Sequence, residues 1–257
     1  MGGNALTEGL TERKEKEEYL QIKALILATL HNGKRIDQES QTEGEQGAEK
    51  VLAVISEIVE MPGKTSFGDL DLLYVLADGK STTDVYTLVR HLFAPTEMVS
   101  NGGVTSFDFM RFQIDMIQCK PETFPLSQFC LSYGDRGMIL GQMAKCHGFS
   151  LGTKGLAVTH SSLEELLGYK NGRISSSEKL TLSTDPVSIR SFMGLSLEND
   201  EDILHTQADV MHFCMQSPWF KPKYFAPRKL SNCESKKKLR QRPFTRCFVT
   251  KFRRIIT

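Results

Sequence analysis

Apolar residues recur at helical spacing in several stretches of the chain. The clearest case is Lys14–Leu30, where Tyr19, Ile22 and Ile26 share one side of a helix. Residues 1–12, just before this stretch, are predicted to be disordered. The same periodicity, with capping residues at several starts, predicts further helices over Gly47–Val59, from Ser81 or Thr82 to Phe93, within Ser132–His147, over Leu163–Leu167, from Asp185 onward, and over Asp200–Met215.

Apolar runs rich in β-branched and aromatic residues predict strands between these helices. The order of the elements indicates an α+β protein, in which a small mixed β-sheet carries helices on one face and is followed by a mainly helical C-terminal region. The strands are predicted at 68–75, Met98–Val104 and Phe107–Gln118, with a hairpin at Phe149–Leu151 and Leu156–Val158 and an extended stretch at 172–184.

Two acids stand one residue apart in the first predicted strand. Because residues i and i+2 of a strand point to the same face, Asp69 and Asp71 should project together. The strand at Phe107–Gln118 adds Asp115 inside an apolar run, where a lone carboxylate is costly. Converging carboxylates repel one another unless a cation neutralises them, and oxygen ligands suit Mg²⁺ or Mn²⁺. If the strands pair, the acids form a metal site; otherwise they lie at a solvated strand edge.

The stretch Gly63–Leu73, with its Gly-Asp-Leu-Asp core, resembles the signature strand of the DNA polymerase beta-like nucleotidyltransferase superfamily. Asp115 lies where that superfamily has its third carboxylate. Ser132–Leu151 is similar to the following segment of the family X members, in which a turn before a helix contacts the nucleotide. The resemblance covers residues 45–200. It implies four segments: an N-terminal segment at 1–44, a nucleotidyltransferase palm at 45–168, a helical accessory region at 169–227 and a basic segment at 228–257.

The resemblance further implies an enzyme that transfers a nucleoside monophosphate from an NTP or dNTP to an acceptor hydroxyl, which we expect on a nucleic acid. Asp69, Asp71 and Asp115 would bind two Mg²⁺ or Mn²⁺ ions, and Asp115 would also accept the proton of the attacking hydroxyl. Nucleotide contacts are implied at two places, namely Lys64, Ser66 and Gly68 beside the acid pair, and Ser132, Tyr133 and Gly134 before the later helix.

The chain departs from the family pattern in two respects. The family holds the triphosphate with a Gly-Ser pair several residues before the acid pair, but Glu57–Pro62 contains neither residue. The strand that carries this pair is predicted to be missing, since Ala53–Ile58 continues the helical pattern. Ile139 and Met143 replace polar residues of the family's polymerases, which argues against template-directed synthesis. A second hypothesis is therefore a catalytically impaired relative that binds nucleic acid.

The formal net charge of +1 conceals a strongly basic C-terminal segment. Residues 228–257 hold eleven Lys or Arg and one acid, a charge of +10 that leaves −9 for the rest of the chain. Such a segment indicates either a polyanionic partner or a solvated helix face. The candidate nucleic-acid contacts are Lys236, Lys237, Lys238, Arg240, Arg242 and Arg246, and the first five of them also resemble a nuclear-import signal.

The composition and the cysteine pattern indicate the cellular compartment in which we expect the protein. The 257 residues, 40% of them apolar, suffice for a substantial core. No apolar run is long enough to span a membrane, and the Glu- and Lys-rich N-terminus does not resemble a signal peptide. The six cysteines include no Cys-x-x-Cys pair, which favours core thiols in a reducing compartment. We therefore expect an intracellular protein, cytoplasmic or nuclear, without a membrane partner.

Overall fold

The computed structural model describes residues 5–32, 51–159 and 179–225. Within these ranges the protein is a mixed α+β structure with seven α-helices and a mixed five-stranded sheet. The chain separates into two compact units. The amino-terminal unit comprises Gly2–Ile58 and Lys64–Phe124, and the carboxy-terminal unit comprises Val59–Gly63 and Pro125–Thr257.

Seven strands belong to the amino-terminal unit. Five form the mixed sheet in the order β2-β4-β7-β6-β5, and β1 and β3 pair separately as a short antiparallel ribbon. In the mixed sheet β4 and β7 run parallel, whereas the other neighbours run antiparallel. The strands are β1 (Lys14–Glu15), β2 (Leu52–Glu57), β3 (Ser66–Phe67), β4 (Asp69–Leu76), β5 (Met98–Asn101), β6 (Val104–Phe109) and β7 (Phe112–Cys119).

Two helices, α1 (Lys16–Asn32) and α2 (Thr82–Phe93), cover one face of this sheet. Their apolar sides pack against every second residue of the central strands, since alternate strand residues share a face. The ring of Tyr19 stacks on that of Phe67, with 3.9 Å between the ring centres. The buried strand residues that complete this core are Leu70, Leu72, Tyr74, Phe107, Phe112, Ile114 and Met116.

The predicted helix Gly47–Val59 is wrong over its described part. Residues 52–57 form strand β2, which pairs antiparallel with β4 along the sheet edge. The apolar spacing fitted a helix, but Val54 and Ile55 are β-branched and suit a pleated strand equally well. Backbone pairing with β4, which no local pattern reveals, decides between the two. The strand that was predicted to be missing before the acid pair is therefore present.

Three other predictions need correction. Phe107–Gln118 is not one strand, because a turn at Met110 and Arg111 separates β6 from β7 and makes them an antiparallel hairpin. The helix predicted over Asp200–Met215 is interrupted before Thr206, which caps a second helix. Residues 5–12 are not disordered, since Leu6 is buried and this segment bonds to the sheet. The helix predicted at Leu163–Leu167 lies outside the described residues.

The carboxy-terminal unit combines helices with a three-stranded antiparallel sheet of order β10-β9-β8. None of the helices in the described ranges is both long and apolar enough to cross a membrane. The elements are α3 (Phe124–Leu131), α4 (Arg136–Cys146), β8 (Phe149–Gly152), β9 (Gly155–Thr159), β10 (Lys179–Ser183), α5 (Pro186–Phe192), α6 (Asp200–Ile203) and α7 (Gln207–Gln216).

A buried ionic cluster lies in the core of this unit. Arg136 is fully buried and donates one hydrogen bond to Asp200 Oδ2 and another to the Phe129 carbonyl. Arg190 approaches the other carboxylate oxygen of Asp200 to 3.1 Å. Two guanidinium groups therefore share one carboxylate among apolar side chains. Because charges out of water are costly unless paired, Asp200 is required to keep the arginines buried.

We expect Asp200→Asn to destabilise the carboxy-terminal unit by about 3 kcal/mol or more, since it leaves a buried guanidinium uncompensated. Chemical denaturation monitored by the fluorescence of Trp219, which belongs to this unit, measures the loss. Asp202→Asn is the matched control because Asp202 is an exposed acid of the same helix. Equal stabilities for the two variants would contradict the assignment.

Candidate metal centre

The parallel pairing of β4 with β7 brings the three predicted acids together. Asp71 lies directly opposite Asp115, and Asp69 lies opposite Gln113 two residues earlier. Since residues i and i+2 share a face, all four side chains project from the face opposite to Leu70 and the helix-covered core. The neighbouring strand β6 places Ser106 next to Asp115 on the same face.

One carboxylate oxygen of each acid, Asp69, Asp71 and Asp115, lies within 4.8 Å of the other two. Around one octahedral Mg²⁺, with metal–oxygen distances of about 2.1 Å, neighbouring oxygens are about 3.0 Å apart and opposite oxygens about 4.2 Å apart. The three groups therefore need an adjustment of up to about 1 Å each to share an ion. Carboxylate oxygens are the hard donors that Mg²⁺ and Mn²⁺ prefer, so the donor set fits such a cation.

Asp115 is the acid whose surroundings are best defined. Gln113 Nε2 donates to both of its carboxylate oxygens, at 2.9 Å each, and the Ser106 hydroxyl donates a further hydrogen bond. Burial raises the pKa of the Asp115 carboxyl above its ordinary value of 3.8, and this outweighs the two donors, which lower it. Ionising the Asp115 carboxyl therefore costs free energy in the folded protein, and a divalent cation would offset this cost.

The nucleotide contacts implied beside the acid pair lie in the same unit. The Lys64 ammonium lies 4.6 Å from the centre of the Phe67 ring. The Ser66 hydroxyl accepts a hydrogen bond from Arg13 Nε at 3.1 Å, and its carbonyl accepts one from the same guanidinium. Gly68 is buried in the link between β3 and β4. Lys64 thus lies on the segment before the acid pair, and Arg13, from just before β1, is bonded to that segment at Ser66.

The contacts implied at Ser132, Tyr133 and Gly134 lie in the carboxy-terminal unit, in the link between α3 and α4. Ser132 is buried, and its hydroxyl accepts a hydrogen bond from the Val59 amide at 3.0 Å. The Tyr133 amide donates to the Val59 carbonyl at 2.6 Å. Only Gly134 of the three is exposed. The polar groups of this link therefore hold the loop at Val59.

The chain matches no protein-family model, and no curated protein matches it. The basic segment with Lys236, Lys237, Lys238, Arg240, Arg242 and Arg246 lies outside the described residues.

Three residues of the site went unrecognised in the sequence. Gln113 and Ser106 bond to Asp115, and Arg13 bonds to Ser66. Gln113 stands two positions before Asp115, so the strand period alone places it on the same face. Ser106 and Arg13 gave no such signal, because their places depend on pairings between distant segments.

The raised pKa of Asp115 predicts a pH effect on the metal-free protein. A carboxyl whose pKa rises on folding costs stability while it is ionised, and this cost disappears as the pH falls through the folded-state pKa. The Tm of Asp115→Asn minus that of the unmodified protein should therefore increase from about pH 4 to about pH 7. Thermal unfolding with a chelator present measures the difference.

The control for this experiment is Asp78→Asn, which changes an exposed acid in the turn after β4. Its Tm difference should stay flat over the same pH range. A flat or falling difference for Asp115→Asn would show that the Asp115 carboxyl is not destabilised by burial.

Proposed function

We propose that the protein is a nucleotidyltransferase of the DNA polymerase beta-like type. It would transfer a nucleoside monophosphate from an NTP or dNTP to an acceptor hydroxyl, with two Mg²⁺ or Mn²⁺ ions as cofactors. The five-stranded sheet of the amino-terminal unit would form part of the palm at residues 45–168. The observation that carries this proposal is the convergence of Asp69, Asp71 and Asp115 from adjacent parallel strands onto one point.

A purely carboxylate cluster supports this reaction class, because its oxygens suit the ions that assist phosphoryl transfer. When bound, the ions would neutralise the acids, offset negative charge on the phosphates and lower the pKa of the attacking hydroxyl. The acceptor oxygen forms a bond to the α-phosphorus, the bond from that phosphorus to the β-phosphate bridging oxygen breaks, and pyrophosphate leaves. The hydroxyl proton passes to solvent water, because Gln113, Ser106 and the ion would together occupy the lone pairs of Asp115.

The cations before the acid pair would bind the phosphates. Lys64 lies on the segment that leads into β3 and β4, and Arg13, just before β1, bonds to Ser66 of that segment. Both cations belong to the same unit as the acids. They would supply the positive charge that the absent Gly-Ser pair does not provide. Ser66 and Gly68 would set the path of this segment. A nucleic acid is the acceptor that the basic C-terminal segment suits best.

We expect Asp71→Asn to lower the rate of nucleotide transfer by about a thousandfold or more, since a lost metal ligand removes about 4 kcal/mol of transition-state stabilisation. The assay follows an α-³²P-labelled nucleotide onto oligonucleotide acceptors in Mg²⁺ or Mn²⁺. Asp78→Asn should keep the unmodified rate. Circular dichroism should show both variants folded, and full labelling by folded Asp71→Asn would overturn the proposal.

A second function, nucleic-acid binding with impaired catalysis, is favoured by a different observation. The loop that stands in place of the family's Gly-Ser pair has both backbone groups of Val59 engaged by Ser132 and Tyr133. The Val59 amide therefore donates to the Ser132 hydroxyl and not to a phosphate. Calorimetry separates the two functions, because only the first requires Mg²⁺-dependent binding of NTP.

Both functions predict that the basic segment contacts phosphates. Replacing Lys236, Lys237 and Lys238 with Gln should reduce the slope of log K against log salt concentration by about two to three, because each phosphate contact contributes about 0.7–0.9. Filter binding of single-stranded RNA and duplex DNA across a salt series measures this slope. An unchanged slope would assign the segment to a solvated surface.

A further inference from the structure

Gln113 is a buried amide beside the candidate metal centre, with only 1% of its surface exposed. It lies in β7 two residues before Asp115 and directly across from Asp69 of β4. A buried carboxamide must find partners for its donors and for its acceptor, since each unpaired group costs free energy. The identity of these partners determines what the side chain does.

The two hydrogen-bond partners of the Gln113 side-chain amide determine its orientation. The Ala5 backbone N–H, 3.0 Å from Gln113 Oε1, can only donate. The ionised Asp115 carboxylate, 2.9 Å from Gln113 Nε2 at both oxygens, can only accept. Any flip of the amide would face donor with donor and acceptor with acceptor. Gln113 is therefore held in one orientation by a donor on one side and a carboxylate on the other.

This arrangement restricts what Asp115 can offer to an ion. A carboxylate has about four lone-pair positions. Gln113 bonds to both oxygens, and the Ser106 hydroxyl bonds as well. About one lone-pair direction of the Asp115 carboxylate is then left for a metal. The carboxylate can therefore bind the ion through a single oxygen, and the hydrogen bonds fix its rotation about the side-chain bond.

The donor at Ala5 is itself held in place. Leu6 is buried, the Thr7 amide donates to Glu97 Oε2 at 3.0 Å, and the Glu12 amide donates to the Arg111 carbonyl at 2.8 Å. Residues 5–12, which we call the N-terminal strap, are thus fastened to the β5–β7 region at several points. Hydrogen bonds in a chain strengthen one another, so the strap can influence Asp115 through Gln113.

We propose that Gln113 is a positioning residue that orients the Asp115 carboxylate towards the divalent cation, and that the N-terminal strap holds Gln113 in this role through the Ala5 amide. The inference rests on the proposed metal centre. It assigns the strap a function in metal affinity, and it connects a segment distant in sequence to the site.

The test uses the full chain and Mn²⁺ alone, with free Mn²⁺ measured by electron paramagnetic resonance. Gln113→Met keeps the volume and removes every donor, and it should weaken Mn²⁺ binding about 10- to 100-fold, as the loss of such supporting hydrogen bonds does at other metal sites. Gln118→Met is the matched control, because Gln118 lies on the same strand, exposed and on the opposite face. It should leave Mn²⁺ affinity unchanged.

A second variant tests the strap without touching the sheet. Ala5→Pro removes one amide N–H from an exposed residue and fixes φ at about −65°, and it should weaken Mn²⁺ binding about 2- to 10-fold, the range for one hydrogen bond. In the Gln113→Met background the same change should have no further effect, because the two residues act in one chain. A merely structural role for the strap would give additive losses.

The outcomes separate the inference from the function on which it rests. If the unmodified protein binds Mn²⁺ and Asp71→Asn does not, while Gln113→Met matches Gln118→Met, the positioning role is refuted and the metal centre stands. If the unmodified protein binds no more Mn²⁺ than Asp71→Asn, both are refuted. Should Gln113→Met fail to fold, Ala5→Pro decides alone, and unchanged affinity there overturns the inference.

Discussion

Mutual repulsion among three carboxylates is the constraint on which the candidate site depends. The register of β4 and β7 sets Asp71 opposite Asp115, with Asp69 one strand period away. Like charges at such separations raise the free energy of the folded protein unless a cation intervenes. Bringing the three carboxylates together therefore requires stabilising contacts elsewhere in the unit. A divalent ion bound between them would lower the free energy of this arrangement.

The other face of the same strands provides the opposing stabilisation. Leu70 and Leu72, alternating with the acids, are almost fully buried against the core that α1 and α2 complete. Burying one such side chain contributes about 2 kcal/mol. Because strand residues alternate between faces, a single eight-residue strand carries both the stabilising core and the destabilising acids. A shift of register by one residue would exchange the two faces, and both the apolar core and the cluster of acids would be lost.

How much of this was visible in the sequence depended on whether the signal was local. The helix α5 follows Asp185, whose side chain accepts hydrogen bonds from two amides as a cap should. The two-residue strand period placed Asp69 and Asp71 on one face, whereas their convergence with Asp115 depended on the pairing of β4 with β7, which no local pattern gives. Strand β2 was predicted as a helix because the spacing of its apolar residues fits both a helix and a strand. Only its pairing with β4 distinguishes the two. The turn between β6 and β7 was missed because Met110 and Arg111 adopt positive φ without a glycine or asparagine to mark it.

The presence of β2 changes the meaning of the absent Gly-Ser pair. If the whole element were lost, the acid pair would stand beside an open sheet edge. Instead β2 pairs antiparallel with β4, so this edge of the acid strand is covered. In the loop that follows β2, the amide and the carbonyl of Val59 are hydrogen-bonded to Ser132 and Tyr133. Under the proposed function, a triphosphate would therefore depend on side-chain cations rather than on this loop, and Lys64 and Arg13 belong to the same unit as the acids.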